Sequence, residues 1–266
     1  MDKDLLAGLL LEVRAKRPLI HHITNYVTVN DCANATICIG ASPVMAHARD
    51  EAAEMASMAG ALVLNIGTLD EAQVDSMLIA GAKANDMGIP IVLDPVGAGA
   101  TRLRTSVALR LINDLNIAVV KGNAAEIAVL AGAEGSIKGV ESCGMAGDPL
   151  DVAKSLAKKA GTVVAMSGAT DIVTDGKRSL LIDNGHPLMG KVSGTGCMAA
   201  SIIGAFCAVS GDHVAASAAG FASFGIAGER AARNCRGPAS FKVALMDEIY
   251  GLEPDCLIND ARVREA

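Results

Sequence analysis

Gly190-Lys-Val-Ser-Gly-Thr-Gly-Cys197 is a glycine-rich loop that stands directly before a long apolar segment. Glycine lets the backbone adopt positive φ and approach a ligand closely. A helix beginning at Cys197 would point its unpaired N–H groups, and about half a positive charge, back at this loop. The stretch therefore predicts a site for an anion such as phosphate at the start of a buried helix. A plain turn between a strand and a helix explains the same residues, because short glycine motifs also occur by chance.

Composition limits the kinds of fold that the chain can form. Its 266 residues suffice for one large α/β domain or two small ones, and no linker-like segment divides them. Apolar residues make up 51% of the chain but aromatic residues only 2%, so aliphatic side chains must build the core. Such a core suits helices packed closely on a parallel sheet. We therefore predict a single domain over residues 1–266.

Charge and cysteine content indicate the partners and the compartment. The net charge of −6 and the few aromatic residues argue against a nucleic-acid surface, which needs basic patches and stacking platforms. The seven cysteines form no C-x-x-C pair, which predicts a reduced, cytoplasmic protein without a zinc site. The acidic start of the chain does not resemble a signal peptide. Residues 192–211 carry no charge, but their glycines and serines favour a buried helix over a membrane span.

Apolar runs and turn residues predict alternating strands and helices. Strands are predicted at 19–23, 43–45, 61–66, 89–93, 117–120, 162–166, 172–174 and 179–182. Helices are predicted at 3–16, after the capping residues 25–31 up to about Gly40, and at 70–87, 104–115, 124–130, 150–160, 197–209, 213–232 and 239–250. Residues 132–149 predict a loop, and only helices are expected after Gly196. Repeated β–α units predict a three-layer α/β domain with a mainly parallel central sheet, helices on both faces and a hairpin at one edge.

Polar residues follow the predicted strands, where an open parallel sheet places its ligand. Asp94 ends one strand, and Lys121 and Asn123 end the next, with Glu126 one turn further on. If these strands are neighbours, Asp94 and Glu126 converge on a site suited to Mg²⁺, which takes oxygen ligands. Alternatively, Asp94 caps the following turn, and Glu126 lies in a solvated first helical turn where the helix dipole favours it.

Six motifs resemble those of the hydroxyethylthiazole kinase family. They are Asn25-Tyr-Val-Thr-Val-Asn-Asp31, Ser42-Pro-Val-Met45, Asn65-Ile-Gly-Thr68, Leu93-Asp-Pro-Val-Gly97, Lys121-Gly-Asn-Ala-Ala-Glu126 and Ser193-Gly-Thr-Gly-Cys197. The match spans nearly the whole chain in register. It implies a ribokinase-like fold, ATP- and Mg²⁺-dependent phosphorylation of the thiazole alcohol in thiamine salvage, and a homotrimer with active sites at subunit interfaces.

The resemblance also implies roles for the residues that match these motifs. Thiazole-binding residues would be Asn25, Met45, Gly67, Gly194 and Cys197. ATP-binding residues would be Lys121, Asn123, Ser167, Gly168, Gly194 and Gly196. Metal-binding residues would be Asp94 and Glu126. Cys197 is the predicted catalytic residue, and we expect a modest contribution from it, because most ribokinase-like enzymes carry an aspartate there. From the residues alone, Met45 suits ordinary core packing equally well.

Other functions stay open from the sequence. A similar scaffold supports a kinase of another small alcohol, of the hydroxymethylpyrimidine type, or an ATP-dependent lyase of the NAD(P)H-hydrate dehydratase type. A protein that binds a thiamine precursor without turnover is a third possibility. A dinucleotide oxidoreductase would use Gly194-x-Gly196-x-x-Ala199 with Asp212, but residues 186–191 make a poor preceding strand. The absence of a G-x-x-x-x-G-K-[ST] motif excludes a P-loop kinase.

Overall fold

The computed structural model describes residues 2–133, 148–233 and 235–266. The loop predicted over 132–149 falls mainly on residues 134–147, which lie outside this part of the chain. Nine strands form one sheet in the order β2-β1-β3-β4-β5-β6-β7-β8-β9. Their bounds are β1 Leu19–Ile23, β2 Ser42–Val44, β3 Ala61–Asn65, β4 Ile91–Asp94, β5 Val119–Asn123, β6 Val163–Ser167, β7 Asp171–Thr174, β8 Ser179–Ile182 and β9 Val263–Glu265.

The helices cover both faces of this sheet. Their bounds are α1 Lys3–Lys16, α2 Val29–Ile39, α3 Arg49–Met58, α4 Glu71–Asp86, α5 Arg102–Asp114, α6 Ala124–Ala131, α7 Pro149–Ala160, α8 Thr195–Cys207, α9 His213–Arg233, α10 Pro238–Tyr250 and α11 Pro254–Asp260. A 3₁₀ turn, Pro187–Lys191, precedes α8. The predicted three-layer α/β architecture is confirmed.

Strand β3 shows how one short segment builds both layers of core. All five of its residues are buried, and successive side chains point to opposite faces of the sheet. Val63 packs in the core that contains α8 and α9, whereas Leu62 and Leu64 pack in the core that contains α4 and α5. A strand that is buried throughout and apolar up to its last residue, Asn65, is typical of a parallel sheet covered by helices on both faces.

The directions of strand pairing show which edge of the sheet carries the predicted site residues. Strands β1 to β6 are mutually parallel, so their carboxyl ends lie along one edge. Strands β7, β8 and β9 continue the sheet in antiparallel fashion. The predicted hairpin is therefore present as β7–β8. It is not the outermost pair, because β9 pairs with β8 on its far side.

The elements predicted from the sequence differ from the structure in several places. Strand β9 lies in a region expected to hold only helices, and helices α3 and α11 were not predicted. Strand β9 is three residues long and mostly exposed, so it has no apolar alternation to reveal it. Helix α8 begins at Thr195, two residues earlier than expected, with Gly194 as its N-cap in the left-handed region.

The uncharged segment 192–211 forms α8, which is almost wholly buried between the sheet and helices α2 and α9. Among the described residues, none of the helices combines the length and the apolar character needed to cross a bilayer.

Candidate active site

The carboxyl ends of β3, β4, β5 and β6 bring the predicted strand-end residues to one edge of the sheet. The register sets Asn65 beside Asp94 and Asn123 beside Ser167. The condition for Asp94 and Glu126 to converge, that β4 and β5 are neighbours, is thereby met. Met45 follows β2 at the same edge and is partly buried.

Helix α8 begins at this edge, within the glycine-rich loop 190–197. Gly194 has φ of 91°, a conformation that L side chains rarely adopt. A Cβ at this position would also lie 2.5 Å from Cγ2 of Thr28. The glycine is therefore required both by the turn into α8 and by the close approach of α2.

A buried polar network lies directly against the start of α8. Asn65 donates from Nδ2 to Asp94 Oδ2 (2.7 Å) and to Cys197 Sγ (3.2 Å). Asn25 donates from Nδ2 to Asn65 Oδ1 (2.9 Å) and to Cys197 Sγ (3.4 Å). Thr28 donates to Asn25 Oδ1 from its backbone N–H and its hydroxyl. These hydrogen bonds join five side chains, which come from β3, β4, α8 and the β1–α2 loop.

Gly67 closes the network at the end of β3. Its backbone N–H donates to Asn65 Oδ1 (2.9 Å). A Cβ at Gly67 would meet both Asn25 and Asn65 at 3.0 Å, so the glycine permits this close contact. Arg104 holds the same loop from outside, because Nη2 donates to the Gly67 carbonyl oxygen (2.7 Å) and Nη1 to the Val96 carbonyl oxygen (2.8 Å).

Burial controls the protonation of the two reactive groups in the network. It raises the pKa of Asp94 to about 6, and nearby Glu126 acts in the same direction, whereas Lys121 and the Asn65 hydrogen bond lower it. Burial and the neighbouring Asp94 also raise the pKa of Cys197 above its ordinary value. Cys197 is therefore a neutral thiol near pH 7, which argues against a thiolate base.

Glu126 is held by the backbone rather than exposed in solvent. Its Oε1 accepts from the Gly97 N–H (2.9 Å), and its Oε2 accepts from the Asn123 N–H (2.8 Å). Asn123 Oδ1 accepts in return from the Glu126 N–H (2.9 Å), which completes a capping box at the start of α6. The alternative of a solvated glutamate is wrong, since Glu126 is only 8% exposed.

A cleft of about 540 Å³ adjoins the other side of the α8 N-terminus. Of the residues expected to bind ATP, Lys121, Ser167, Gly168 and Gly196 line it. Asn123 and Gly194 do not line the cleft, although both lie at the same edge of the sheet. Lys121 is 3% exposed, and its Nζ would lie 3.0 Å from a Cβ at Gly196. The buried ammonium therefore stands against the first turn of α8.

Several residues at these sites were not predicted from the sequence. Asn65 is the centre of the polar network, whereas the sequence marks it only as part of a motif. Asp171 and Asn184 line the cleft together with Lys121. Burial raises the pKa of Asp171 to about 7, against the Gly168 N–H bond and Lys121, which lower it. A polar residue that ends an all-apolar strand was the available signal for Asn65.

The adjacent histidines of β1, His21 and His22, are fully buried. His21 Nε2 hydrogen-bonds the Ala46 carbonyl oxygen (2.8 Å), and His22 Nδ1 hydrogen-bonds the Ile20 carbonyl oxygen (3.0 Å). Burial lowers the pKa of both, so each ring is neutral. In the part of the chain that the structure describes, no group of three or more His, Cys, Asp or Glu side chains is arranged to hold a metal.

Comparison with known proteins shows which family the chain belongs to. The model of the "Hydroxyethylthiazole kinase family" matches residues 10–255. The chain belongs to the hydroxyethylthiazole kinase family. The resemblance drawn from the six motifs is thereby confirmed over most of the chain.

Relatives within the family match the chain over its full length. A hydroxyethylthiazole kinase of Methanocella arvoryzae is 66% identical over 100% of both chains. The solved structure of a hydroxyethylthiazole kinase protein from Pyrococcus horikoshii OT3 superposes with a TM-score of 0.91 at 44% identity and covers 98% of each chain. A ribokinase-like superfamily protein of Enterococcus faecalis gives a TM-score of 0.66 at 13% identity over 96% of both chains. That likeness shows the ribokinase-like fold.

Proposed function

We propose that the protein transfers the γ-phosphoryl group of ATP to the hydroxyl of hydroxyethylthiazole, the salvage step that returns this alcohol to thiamine. The observation that carries the proposal is the N-terminus of α8, which faces two sites at once. Gly196 lies beside Lys121 in the cleft, and the next residue, Cys197, lies in the polar network. A phosphoryl group at this helix end would stand between a nucleotide on one side and an alcohol on the other.

The cleft is the proposed site for ATP. Its volume suits a small-molecule ligand, and its lining combines aromatic and apolar side chains with a few polar groups. Phe221 and Phe224 supply apolar surface for the base, while Lys121 and the first N–H groups of α8 supply positive charge for the phosphates. Ser167 and Gly168 border the phosphate end.

The polar network is the proposed site for the thiazole alcohol, and the proposed thiazole-binding residues are Asn25, Met45, Gly67, Gly194 and Cys197. Cys197 as a thiol would contact the substrate hydroxyl without taking its proton as a thiolate. Phosphoryl transfer passes through a loose transition state in which positioning and charge neutralisation supply most of the catalysis, so a strong base is not required. The fixed amides of Asn25 and Asn65 favour such positioning.

Asp94 and Glu126 fit a role in binding Mg²⁺. The two carboxylates are close enough for Glu126 to raise the pKa of Asp94, and the positive charge of Lys121 nearby lowers it. Kinases bind Mg²⁺ through one or two carboxylates together with waters and substrate phosphates, so a complete protein cage is not needed. When bound with ATP, the ion would neutralise charge on the phosphates.

The proposed assembly is a homotrimer with active sites at subunit interfaces. Tyr26 and Val27 are 62% and 68% exposed, although they directly follow the buried Asn25. Ile37, on α2, is 56% exposed. A neighbouring subunit that covers Tyr26 and Val27 would also cover the adjacent thiazole site. Light scattering of active protein tests this, and an active monomer would overturn it.

We further propose that residues 1–266 form one domain, because one sheet joins all nine described strands. Six free cysteines among the described residues suit the proposed reducing, cytoplasmic location.

A coupled assay of ADP release with three candidate substrates tests the activity directly. We expect release with hydroxyethylthiazole that needs Mg²⁺ and stops when EDTA is added. Hydroxymethylpyrimidine and hydrated NADH should be used at least about tenfold less efficiently. A faster reaction with either compound would replace the proposed substrate with that of a related kinase or lyase. Tight thiazole binding without ADP release would indicate a binding protein.

A further inference from the structure

One wall of the cleft is held by side chains that lie outside it. Asn184, Gly185 and His186 form this wall, between β8 and the 3₁₀ turn. The Gly185 N–H donates to Glu229 Oε1 (2.7 Å), and Asn184 Nδ2 donates to the same oxygen (3.3 Å). Glu229 belongs to α9, one turn beyond Gly225, which itself lines the cleft. The carboxylate thus ties this wall to α9.

Arg262, the residue directly before β9, holds the wall from the other side. The Arg262 N–H donates to Asn184 Oδ1 (2.7 Å), while its guanidinium donates to Glu229 Oε1 (2.6 Å) and Oε2 (3.2 Å). It also donates to the Asp183 carbonyl oxygen. This fork of planar donors is a geometry that arginine supplies and lysine does not. Hydrogen bonds therefore join residues 183–185, Glu229 of α9 and Arg262 into one unit.

Packing leaves the wall little freedom to shift toward α9. A Cβ at Gly225 would lie 2.6–2.7 Å from Cβ, C and O of Asn184, so the helix already contacts the wall backbone. Movement away from α9 is opposed by the bonds to Glu229, by the bond from the Arg262 backbone N–H and by the bond from Asn184 Nδ2 to the Asp260 carbonyl oxygen (3.0 Å). Loss of the Glu229 carboxylate would free Gly185, and loss of the Arg262 guanidinium would free Glu229, on the side where the wall can widen the cleft.

We propose that Glu229 and Arg262 are positioning residues that set the width of the nucleotide cleft by holding Asn184 and Gly185, and that they thereby determine nucleotide affinity. The proposal rests on the proposed function in one respect, the placement of ATP in this cleft. Neither side chain contacts the thiazole site, so the effect is confined to one substrate.

Strand β9 offers a matched control. Arg264 lies two residues from Arg262 and is similarly exposed, and it also pairs with a carboxylate, Asp183 Oδ2, at 3.2 Å. It makes no bond to Asn184, Gly185 or Glu229. A general effect of weakening β9 would appear in Arg264→Ala, whereas an effect on the cleft would not.

The test measures the Kd of ADP and the KM values of both substrates in Glu229→Ala, Arg262→Ala, Arg264→Ala and the wild-type protein. We expect the Kd of ADP and the KM of ATP to rise about tenfold in the first two variants, with kcat and the KM of hydroxyethylthiazole changed less than about twofold. Glu229→Gln keeps an acceptor for the Gly185 N–H, so its Kd for ADP should lie between that of these two variants and that of wild type. Arg264→Ala should bind ADP like wild type.

Hydrogen exchange of the segment 183–189 gives a readout that does not depend on activity. We expect faster exchange in Glu229→Ala than in Arg264→Ala. ADP affinity within twofold of wild type in both Glu229→Ala and Arg262→Ala, or the same loss in Arg264→Ala, would overturn the proposal. If wild type binds no nucleotide, the proposed function and the assignment of affinity to this unit both fail. The exchange result still shows whether the wall is held as described.

Discussion

Asn65 donates a hydrogen bond of 2.7 Å to Asp94 across the adjacent carboxyl ends of β3 and β4. The same amide nitrogen contacts Cys197, so one side chain links the carboxylate to the start of α8. Asp94 and Asn65 are 2% and 1% exposed. A buried carboxylate depends on such donors, because an unpaired one pays the full cost of lost hydration.

Asn65→Ala should lower kcat at least about tenfold, since hydrogen bonds to charged groups are typically worth about 1.5–3 kcal/mol. The matched control is Asn85→Ala, because Asn85 also makes two amide hydrogen bonds, to Asn116, but is only partly buried and lies in the last turn of α4, outside the polar network. We expect the control to affect the melting temperature without affecting turnover. Turnover within twofold of wild type in Asn65→Ala would show that the network does not support catalysis.

Asp94→Asn and Glu126→Gln should both raise the Mg²⁺ requirement and lower turnover at least about tenfold, because each removes charge from the proposed metal site. Only Glu126→Gln should also lower the melting temperature. Each Glu126 oxygen accepts a bond from one backbone N–H group. Glutamine has only one oxygen, and its amide nitrogen cannot accept, so one of the two bonds is lost. Magnesium titrations and thermal melts separate the two effects. Unchanged titrations in both variants would contradict the metal role.

Cys197→Ser should keep activity within about a hundredfold of wild type. The raised pKa of Cys197 leaves little thiolate at neutral pH, and a serine hydroxyl can still accept from Asn25 and Asn65. A general base is typically worth about 10²–10⁴ in rate, so a larger loss would indicate that the thiolate acts as one. Binding of hydroxyethylthiazole to the variant serves as the control for an intact site.

Gly196→Ala should weaken ATP binding without unfolding the protein. The new Cβ would lie 3.0 Å from Lys121 Nζ, so the ammonium must move from the first turn of α8. Gly8→Ala, in α1, is the matched control, because a Cβ there meets nothing within 4 Å. Both substitutions favour the helical state. We expect a higher KM for ATP in Gly196→Ala alone, and equal KM values in the two variants would contradict this.

Asp171→Asn should stabilise the protein more at pH 8 than at pH 5. The folded pKa of about 7 exceeds the ordinary value of 3.8, so the folded state binds the proton more tightly. The stabilisation of the fold that comes from this tighter proton binding is fully present below about pH 4 and is lost as pH rises through 7. Asparagine removes this loss and can still accept from the Gly168 N–H. The check is the difference in melting temperature between variant and wild type, which should grow with pH. A difference independent of pH would show that Asp171 has an ordinary pKa in the fold.

Much of the fold and part of the site follow from local features of the sequence. Apolar runs of strand and helix length, separated by glycine and capping residues, predict the β–α alternation, because side-chain periodicity is a property of each segment. Parallel strands then place Asp94 and Lys121 at one edge of the sheet. The Ser193-Gly-Thr-Gly-Cys197 motif marks the start of α8 with an error of two residues.

The tertiary structure alone decided which of these groups act together. The contacts of Asn65 with Cys197, of Glu126 with Gly97 and of Arg262 with Asn184 join residues distant in the chain. Such contacts depend on strand order and on how closely the helices pack, and no local pattern carries that information. Strand β9 shows the reason most plainly. Its few, mostly exposed residues form a strand only because they pair with β8. The sequence by itself determined where most helices and strands lie, and the sheet determined that this last segment is a strand.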